Sequence, residues 1–264
     1  MKPRLIFTGP TISHAEGSSV LDAIFLPPAV QGSIVLAVHR FDPAAILIID
    51  GGFQSEPAVR HKEILWALSL GIPVVGAASM GALRAAELFP YMQGSGLIYR
   101  WYRRYPLAPD DAVAVLHGPE VVNFAPLTSS LIDLRMTIRA AHRRGLIPVD
   151  LAASMELIAR NLNLRDRTLT RVIEGALKSE DEPTAAAFQA RIQSIFVEQK
   201  RTDALGALQL LRAGVVAPPA VPDFTLTAAF DRDLEDAGLT LGHGQTRSAA
   251  ALDTPTSNGE IYVA

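Results

Sequence analysis

The chain has 264 residues, 49 % of them hydrophobic and 19 % charged, with a formal net charge of −3. This size and composition are those of a globular protein with one large domain, or a domain plus an extension. The slight acidity argues against general nucleic-acid binding, which depends on neutralising phosphates. The sequence contains no cysteine, which excludes disulfides, thiolate nucleophiles and cysteine-ligated zinc within this chain.

Several other classes of protein lack support. No H-x-x-x-H pair occurs, so we expect no metal site, and no phosphate-binding glycine motif follows a strand, so we expect no cofactor on this chain. No apolar run approaches the roughly 20 residues needed to span a bilayer, and the N-terminus lacks a signal-peptide pattern. We therefore expect a cytoplasmic location and no membrane partner.

The first third of the chain alternates short apolar runs with helical patterns. The runs lie at 5–7, 46–49 and 72–75, and small or polar residues follow each of them. Continuously apolar strands separated by helices predict an α/β core of residues 1–147, with a parallel sheet and helices on both faces. A further strand is expected at 112–116.

The remaining chain divides into two parts. Residues 148–214 predict an all-helical extension. Its helices are expected near 151–162, 167–177, 185–197 and 202–212. Residues 215–264 are acidic, begin with several prolines, and predict a tail that is weakly ordered or depends on a partner for its structure.

Residues 72–88 predict a buried strand, a tight turn of small residues and a helix, with Ser79 in the turn. Residues 77–81, with the sequence AASMG, match the nucleophile-elbow pattern G-x-S-x-G except that alanine replaces the first glycine. Small residues are needed there because strand and helix pass close together. Ser79 is therefore a candidate nucleophile, and the alternative is that it only caps the helix.

Candidate partners for Ser79 follow the neighbouring strands. Ligands of open parallel sheets bind at the carboxyl ends of the strands, where residues 8–11, 50–52 and 78–81 would meet. We expect Ser79 to attack, His61 to act as the base, and Asp50 or Glu63 to orient it. His117 is the rival base and His14 the third option, since geometry decides between them.

An anion site is expected beside the elbow. The N–H of Met80, with an N–H from the loop at Thr8 and Gly9, would hold a developing oxyanion. Arg84 would either point at an anion near the elbow or pair with Glu87 on its own helix.

Two clusters of like charge remain. Arg135, Arg139 and Arg143 are four residues apart and share one helix face, which is either solvated or docks an acidic partner. Asp110 and Asp111 are adjacent, and we interpret them as a solvated turn rather than an ion site.

Several blocks of the chain, taken in order, resemble the TfuA family. These blocks are TGPT at 8–11, IIDG at 48–51, HKEIL at 61–65, GAASMGALRAAEL at 76–88, and Asp110-Asp111 with His117. The resemblance runs from about residue 4 to 144, with a weaker similarity near 199–205. The chain departs from the family pattern at Ala112, where an acid is frequent, and at Gly52, where an aromatic is frequent.

The resemblance implies a partner of a YcaO-type enzyme, which uses ATP to form backbone thioamides in ribosomally made peptides. Because this chain has no cysteine, it cannot carry a persulfide itself. If it delivers sulfur, it must either bind free sulfide or release sulfide from a carrier held by another protein. We expect it to release sulfide from a thiocarboxylated sulfur-carrier protein by serine-dependent hydrolysis. The alternative is a non-catalytic scaffold or activator that docks the YcaO-type protein or its precursor peptide through the arginine face.

Overall fold

The computed structural model describes residues 2–53, 56–177, 182–216 and 220–239. Five strands of the described residues form one parallel sheet in the order β2-β1-β3-β4-β5. They are β1 (Arg4–Phe7), β2 (Ile24–Leu26), β3 (Ala45–Ile48), β4 (Val74–Ala77) and β5 (Gln93–Ser95). The predicted α/β core with a parallel sheet is confirmed.

Helices cover both faces of this sheet. In chain order they are α1 (His14–Val20), α2 (Ser33–Phe41), α3 (His61–Ser69), α4 (Met80–Glu87), α5 (Gly96–Arg104), α6 (Leu131–Arg143), α7 (Val149–Asn161), α8 (Leu169–Leu177), α9 (Glu182–Gln193), α10 (Gln199–Arg212) and α11 (Ala228–Asp236). No helix in the described part of the chain has both the length and the apolarity to cross a membrane.

The central strands are apolar throughout because both of their faces are buried. Successive side chains of a strand point to opposite faces. Leu5 and Ile48 join the core cluster on one face, whereas Ile6 and Leu47 join the cluster on the other. All four are fully buried, which explains why the predicted runs lack a polar alternation.

The helices from α6 to α10 divide between two clusters. Helices α6 to α9 share a core cluster of their own. Helix α10 instead returns to the sheet, where Ala204 and Leu208 pack in the same cluster as Leu47 and Val75. The last helix of the expected extension is therefore a layer of the α/β core.

The strand predicted at 112–116 is wrong. Residues Asp110–Ala112 form a short 3-10 helix, and a loop follows it. The polar strand β5 lies at the sheet edge beside β4, where the predicted strand would have paired. Asp111, just before the predicted strand, forms a 2.5 Å ion pair with Arg167. A short apolar run such as 112–116 can be buried without joining a sheet.

Part of the acidic tail packs on the core. In α11, Phe230 and Leu234 are buried in the cluster that contains α2 and α3. The side chain of Gln31 donates a 2.6 Å hydrogen bond to the carbonyl of Asp233. Residues 217–219 and 240–264 of the tail lie outside the described residues.

Candidate functional site

Ser79 lies at the turn between β4 and α4. Its N–H donates to the carbonyl of Ala77 at 2.8 Å, and Ala78 between them has a φ of +65°, which is uncommon for a residue other than glycine. Ser79 occupies the N-cap position of α4, but its side chain makes no capping hydrogen bond. Its Oγ instead donates a long 3.4 Å hydrogen bond to the carbonyl of Val113.

The turn depends on two glycines that let strand and helix touch. A Cβ at Gly81 would lie 1.8 Å from the carbonyl oxygen of Ile48, and a Cβ at Gly76 would lie 2.0 Å from the carbonyl oxygen of Gly81. Both obstacles are backbone atoms. The expectation that position 81 needs a small residue is confirmed.

A cavity of about 110 Å³ adjoins Ser79 at the carboxyl ends of the strands. The loop after α5 and the helix α10 complete its wall. Its polar or titratable lining residues are Asp50, Glu56, Ser79, Asp110, His117 and Lys200. Met80 and Phe124 belong to its apolar lining. This is the end of the sheet at which a ligand site is expected in a parallel α/β fold.

Asp50 organises the loop that follows β1. It is 2 % exposed, and its Oδ2 accepts hydrogen bonds from the N–H groups of Gly9 (2.9 Å) and Thr11 (3.0 Å). Its Oδ1 accepts from the hydroxyl of Thr11 at 2.6 Å. The N–H of Thr8 donates to the carbonyl of Leu26. The N–H groups of Thr8 and Gly9, expected to hold an oxyanion, are thus already engaged.

The N–H of Met80 is differently placed. It is the first residue of α4, and its N–H donates to no acceptor among the described residues. The next N–H, that of Gly81, donates to the carbonyl of Ile49. Met80 therefore offers one open donor at the positive end of the helix, beside Ser79.

Lys200 is the functional candidate that the sequence did not reveal. It lies in α10, is 4 % exposed, and is the only lysine or arginine among the described residues that line the cavity. Its Nζ lies 3.9 Å from Asp50 Oδ1, at the outer limit of an ion pair. The backbone N–H of Lys200 donates to Asp133 Oδ1, and burial raises the pKa of Asp133.

His61 lies outside the cavity lining. Its Nε2 is 2.8 Å from Glu87 Oε2, and Arg84 donates to the same oxygen at 2.7 Å. Burial alone would raise the pKa of Glu87, but the hydrogen bonds from His61 and Arg84 outweigh it and lower that pKa. His61 is thus paired with Glu87, and neither Asp50 nor Glu63 orients it. Arg84 also donates to the carbonyl of Val59 and is not among the lining residues.

Glu63 acts on backbone rather than on His61. It is 1 % exposed and accepts hydrogen bonds from the N–H groups of Arg60, Gly32 and Ile34, which tie the start of α3 to the start of α2. Burial raises the pKa of Glu63 to about 7, although these three donors favour the charged form.

The raised pKa of Glu63 predicts a pH-dependent loss of stability. The contribution of Glu63 is fully present below its unfolded pKa of 4.5 and is lost as the pH rises through about 7. From pH 4.5 to 8 the free energy of unfolding of the native protein should therefore fall by about 3 kcal/mol relative to Glu63→Gln. Urea unfolding of both proteins across this range measures the difference, and a difference that is constant with pH would contradict it.

His117 does line the cavity. Its Nδ1 is 2.8 Å from the carbonyl of Gly118, and its ring packs edge-on against Phe124. Because a carbonyl only accepts, Nδ1 of the neutral ring carries the proton and Nε2 is left free to accept one. The third histidine, His14, holds the carbonyl of Thr8 at 3.3 Å from Nε2 and is not among the lining residues.

The arginine face of α6 is largely paired. Arg135 Nε lies 2.6 Å from Glu156 of α7, and Arg139 lies 3.7 Å from the same carboxylate. Arg143 is exposed. The first two arginines therefore join α6 to α7 within the molecule.

Comparison with known families matches the model described as TfuA-like protein to residues 50–168. The resemblance to the TfuA family inferred from the sequence is thereby confirmed. The matched segment contains Asp50, Ser79 and His117, and it ends before α10 and Lys200. No curated protein matches the chain.

Proposed function

We propose that this chain, whose residues 50–168 are TfuA-like, hydrolyses a thiocarboxylated sulfur-carrier protein and so supplies sulfide to a YcaO-type, ATP-dependent enzyme. The match itself supports a role in a thioamide-forming system. The observation that carries the hydrolytic step is the position of Ser79. Its hydroxyl makes no cap, and it lines a cavity together with a histidine and a buried lysine.

The reaction would be an acyl transfer in two stages. Ser79 Oγ attacks the carbonyl carbon of the thiocarboxylate and gives its proton to the base. The C–S bond then breaks, and the sulfur leaves with the bonding electrons and that proton as hydrosulfide. Water next attacks the seryl ester, which restores Ser79 and leaves a carboxylate on the carrier.

His117 is the base that the geometry favours. It shares the cavity wall with Ser79, and its Nδ1 contact with Gly118 leaves Nε2 unprotonated in the neutral ring. His61, in contrast, is committed to Glu87 outside the lining. A base must come within hydrogen-bond reach of the proton that it takes, and contacts in a ligand-free site tighten when substrate binds.

The negative charge that develops on the substrate oxygen must be stabilised by hydrogen-bond donors. We assign this role to the open N–H of Met80 and to the ammonium of Lys200, which both belong to residues of the cavity lining. Donors that are fixed in place before the reaction stabilise an oxyanion at little reorganisation cost. Lys200 takes the role that the sequence predicted for the N–H groups of Thr8 and Gly9, because those groups already donate hydrogen bonds within the protein.

A sulfur carrier fits the cavity and the composition of the chain. The cavity of about 110 Å³ has room for a small terminal group, and a thiocarboxylate at the end of a polypeptide is such a group. With no cysteine, the chain cannot hold the sulfur as a persulfide, which is consistent with its release from a carrier.

The two histidines provide the test of this function. With thiocarboxylated carrier as substrate and no YcaO-type protein or ATP, we expect the native protein to release sulfide. His117→Ala should lower the rate by about 10²-fold or more, whereas His61→Ala should change it less than about threefold. Sulfide is measured in the filtrate after both proteins have been removed, because the thiocarboxylate itself reacts with thiol reagents.

Three controls interpret this result. The carrier alone gives the uncatalysed rate, and circular dichroism checks the fold of both variants. Failure of the native protein to exceed the uncatalysed rate would refute the hydrolase. A larger loss in His61→Ala than in His117→Ala would refute the assignment of the base.

A further inference from the structure

Helix α5 presents an exposed cluster of arginines and aromatic residues. Arg100, Arg103 and Arg104 share one side of its surface, because residues three and four apart are neighbours on a helix. All three are exposed. Around them lie Phe89 (53 % exposed) and Tyr105 (51 % exposed). We name these five residues the α5 patch.

The guanidinium groups of the α5 patch have no carboxylate partner among the described residues. None of the three arginines forms an ion pair with any acidic residue in the described part of the chain. Arg103 instead stacks on Phe89, with 3.9 Å between its Cζ and the ring centroid. Arg104 lies 5.7 Å from the ring of Tyr105, and its Nε donates a 3.2 Å hydrogen bond to the Tyr105 hydroxyl. These contacts orient the two guanidinium groups and leave their terminal N–H groups open to carboxylates.

This arrangement contrasts with the arginine face of α6. There, Arg135 and Arg139 are held by Glu156 within the molecule. The α5 patch concentrates three unpaired positive charges on a chain whose net charge is −3. Arginine and aromatic residues are also enriched on the surfaces where protein partners bind.

We propose that the α5 patch docks an acidic segment of a protein partner that also carries apolar side chains. The carboxylates of the segment pair with the open edges of Arg100, Arg103 and Arg104. Its apolar side chains contact Phe89 and Tyr105. The net negative charge of the chain favours this occupant over nucleic acid, whose binding needs a broad positive surface.

Helix α5, which carries the patch, contacts the wall of the cavity through its buried Tyr102. The hydroxyl of Tyr102 lies within hydrogen-bond distance of the carbonyls of Pro109 (3.2 Å) and Asp110 (3.4 Å). Asp110 lines the cavity, so α5 is connected to the loop that forms part of the cavity wall.

Binding of a synthetic peptide tests the proposal. The probe is fluorescein-labelled EEFEELEE, followed by fluorescence anisotropy at low salt. We expect saturable binding that weakens about tenfold or more in Arg103→Glu. Phe89→Ala should also weaken it while leaving the charge unchanged, since Arg103 then loses its stacking partner.

Arg212→Glu is the matched control. Arg212 is an exposed arginine of α10, outside both the α5 patch and the arginine face of α6, so its reversal changes the net charge equally and should leave the affinity unchanged. An equal loss in Arg212→Glu and Arg103→Glu would overturn the proposal, because it would show attraction to net charge alone. Tighter binding of a single-stranded RNA of equal charge, lost in Arg103→Glu, would overturn the protein partner. Sulfide release from the carrier, measured without the YcaO-type protein, should be the same in Arg103→Glu and in the native protein. Peptide binding and sulfide release therefore test the docking proposal and the hydrolase proposal separately.

Discussion

Ser79→Ala is expected to lower the rate of sulfide release from the thiocarboxylated carrier by about 10⁴-fold or more. The alanine has no hydroxyl to attack the carbonyl carbon, so the seryl ester cannot form. The fold should survive, because the side chain of Ser79 makes no cap and contributes only a long hydrogen bond to Val113. The measurement is sulfide production under single-turnover conditions.

The same variant separates catalysis from docking. Ser79→Ala should bind the carrier and the YcaO-type protein as the native chain does, yet fail to support thioamide formation when no other sulfide is supplied. Added sodium sulfide should restore thioamide formation. If Ser79→Ala supports it at the native rate with the carrier alone, the chain is a scaffold or activator and not a hydrolase.

Gly81→Ala is expected to destabilise the protein by more than about 3 kcal/mol, at the upper end of what overpacking costs. The new Cβ would lie 1.8 Å from the carbonyl oxygen of Ile48, a backbone atom of β3, and its own position is fixed by the backbone of α4. Relief would require α4 to move away from the sheet. The midpoint of urea unfolding, with the slope held in common, measures the loss.

Gly206→Ala is the control for this substitution. Gly206 lies inside α10, and a Cβ there would have no heavy atom within 4 Å. Since alanine is favoured over glycine in a helix, this variant should gain about 0.5–1 kcal/mol. Equal midpoints for Gly81→Ala and the native protein would show that α4 is not packed against β3 as described.

The central sheet is the part of the fold that the sequence predicts well. The apolar runs at 5–7, 46–49 and 72–75 correspond to β1, β3 and β4, because strands buried on both faces must be apolar throughout. The edge strand β5 escapes this pattern. Its residues Gln93–Ser95 are only partly buried, so no apolar run marks them. The apolar run at 112–116 misleads in the opposite way, because it predicts a strand where the structure has the end of a 3-10 helix and a loop.

The sequence predicts the site only for residues that directly follow the strands, because the sheet then determines which of them lie close together. Asp50 and Ser79 meet at one cavity because both follow parallel strands, whose carboxyl ends share an edge. The direction of His61 depends on the rotation of α3, and that helix turns its first residue toward Glu87 on α4. Lys200 lies in the block 199–205, whose similarity to the family is weak, and no motif singles it out. Its position at the cavity follows from the packing of α10 on the sheet.

The distant origin of Lys200 bears on the order in which the protein is made. A nascent chain that has emerged through α4 already carries Asp50 and Ser79, but Lys200, the one lysine among the described residues of the cavity wall, is still to be translated. The cavity acquires this positive charge when α10 packs on the sheet. In the proposed chemistry, a chain terminated before α10 therefore leaves the carrier's sulfur intact, and sulfide release is confined to molecules in which α10 has folded.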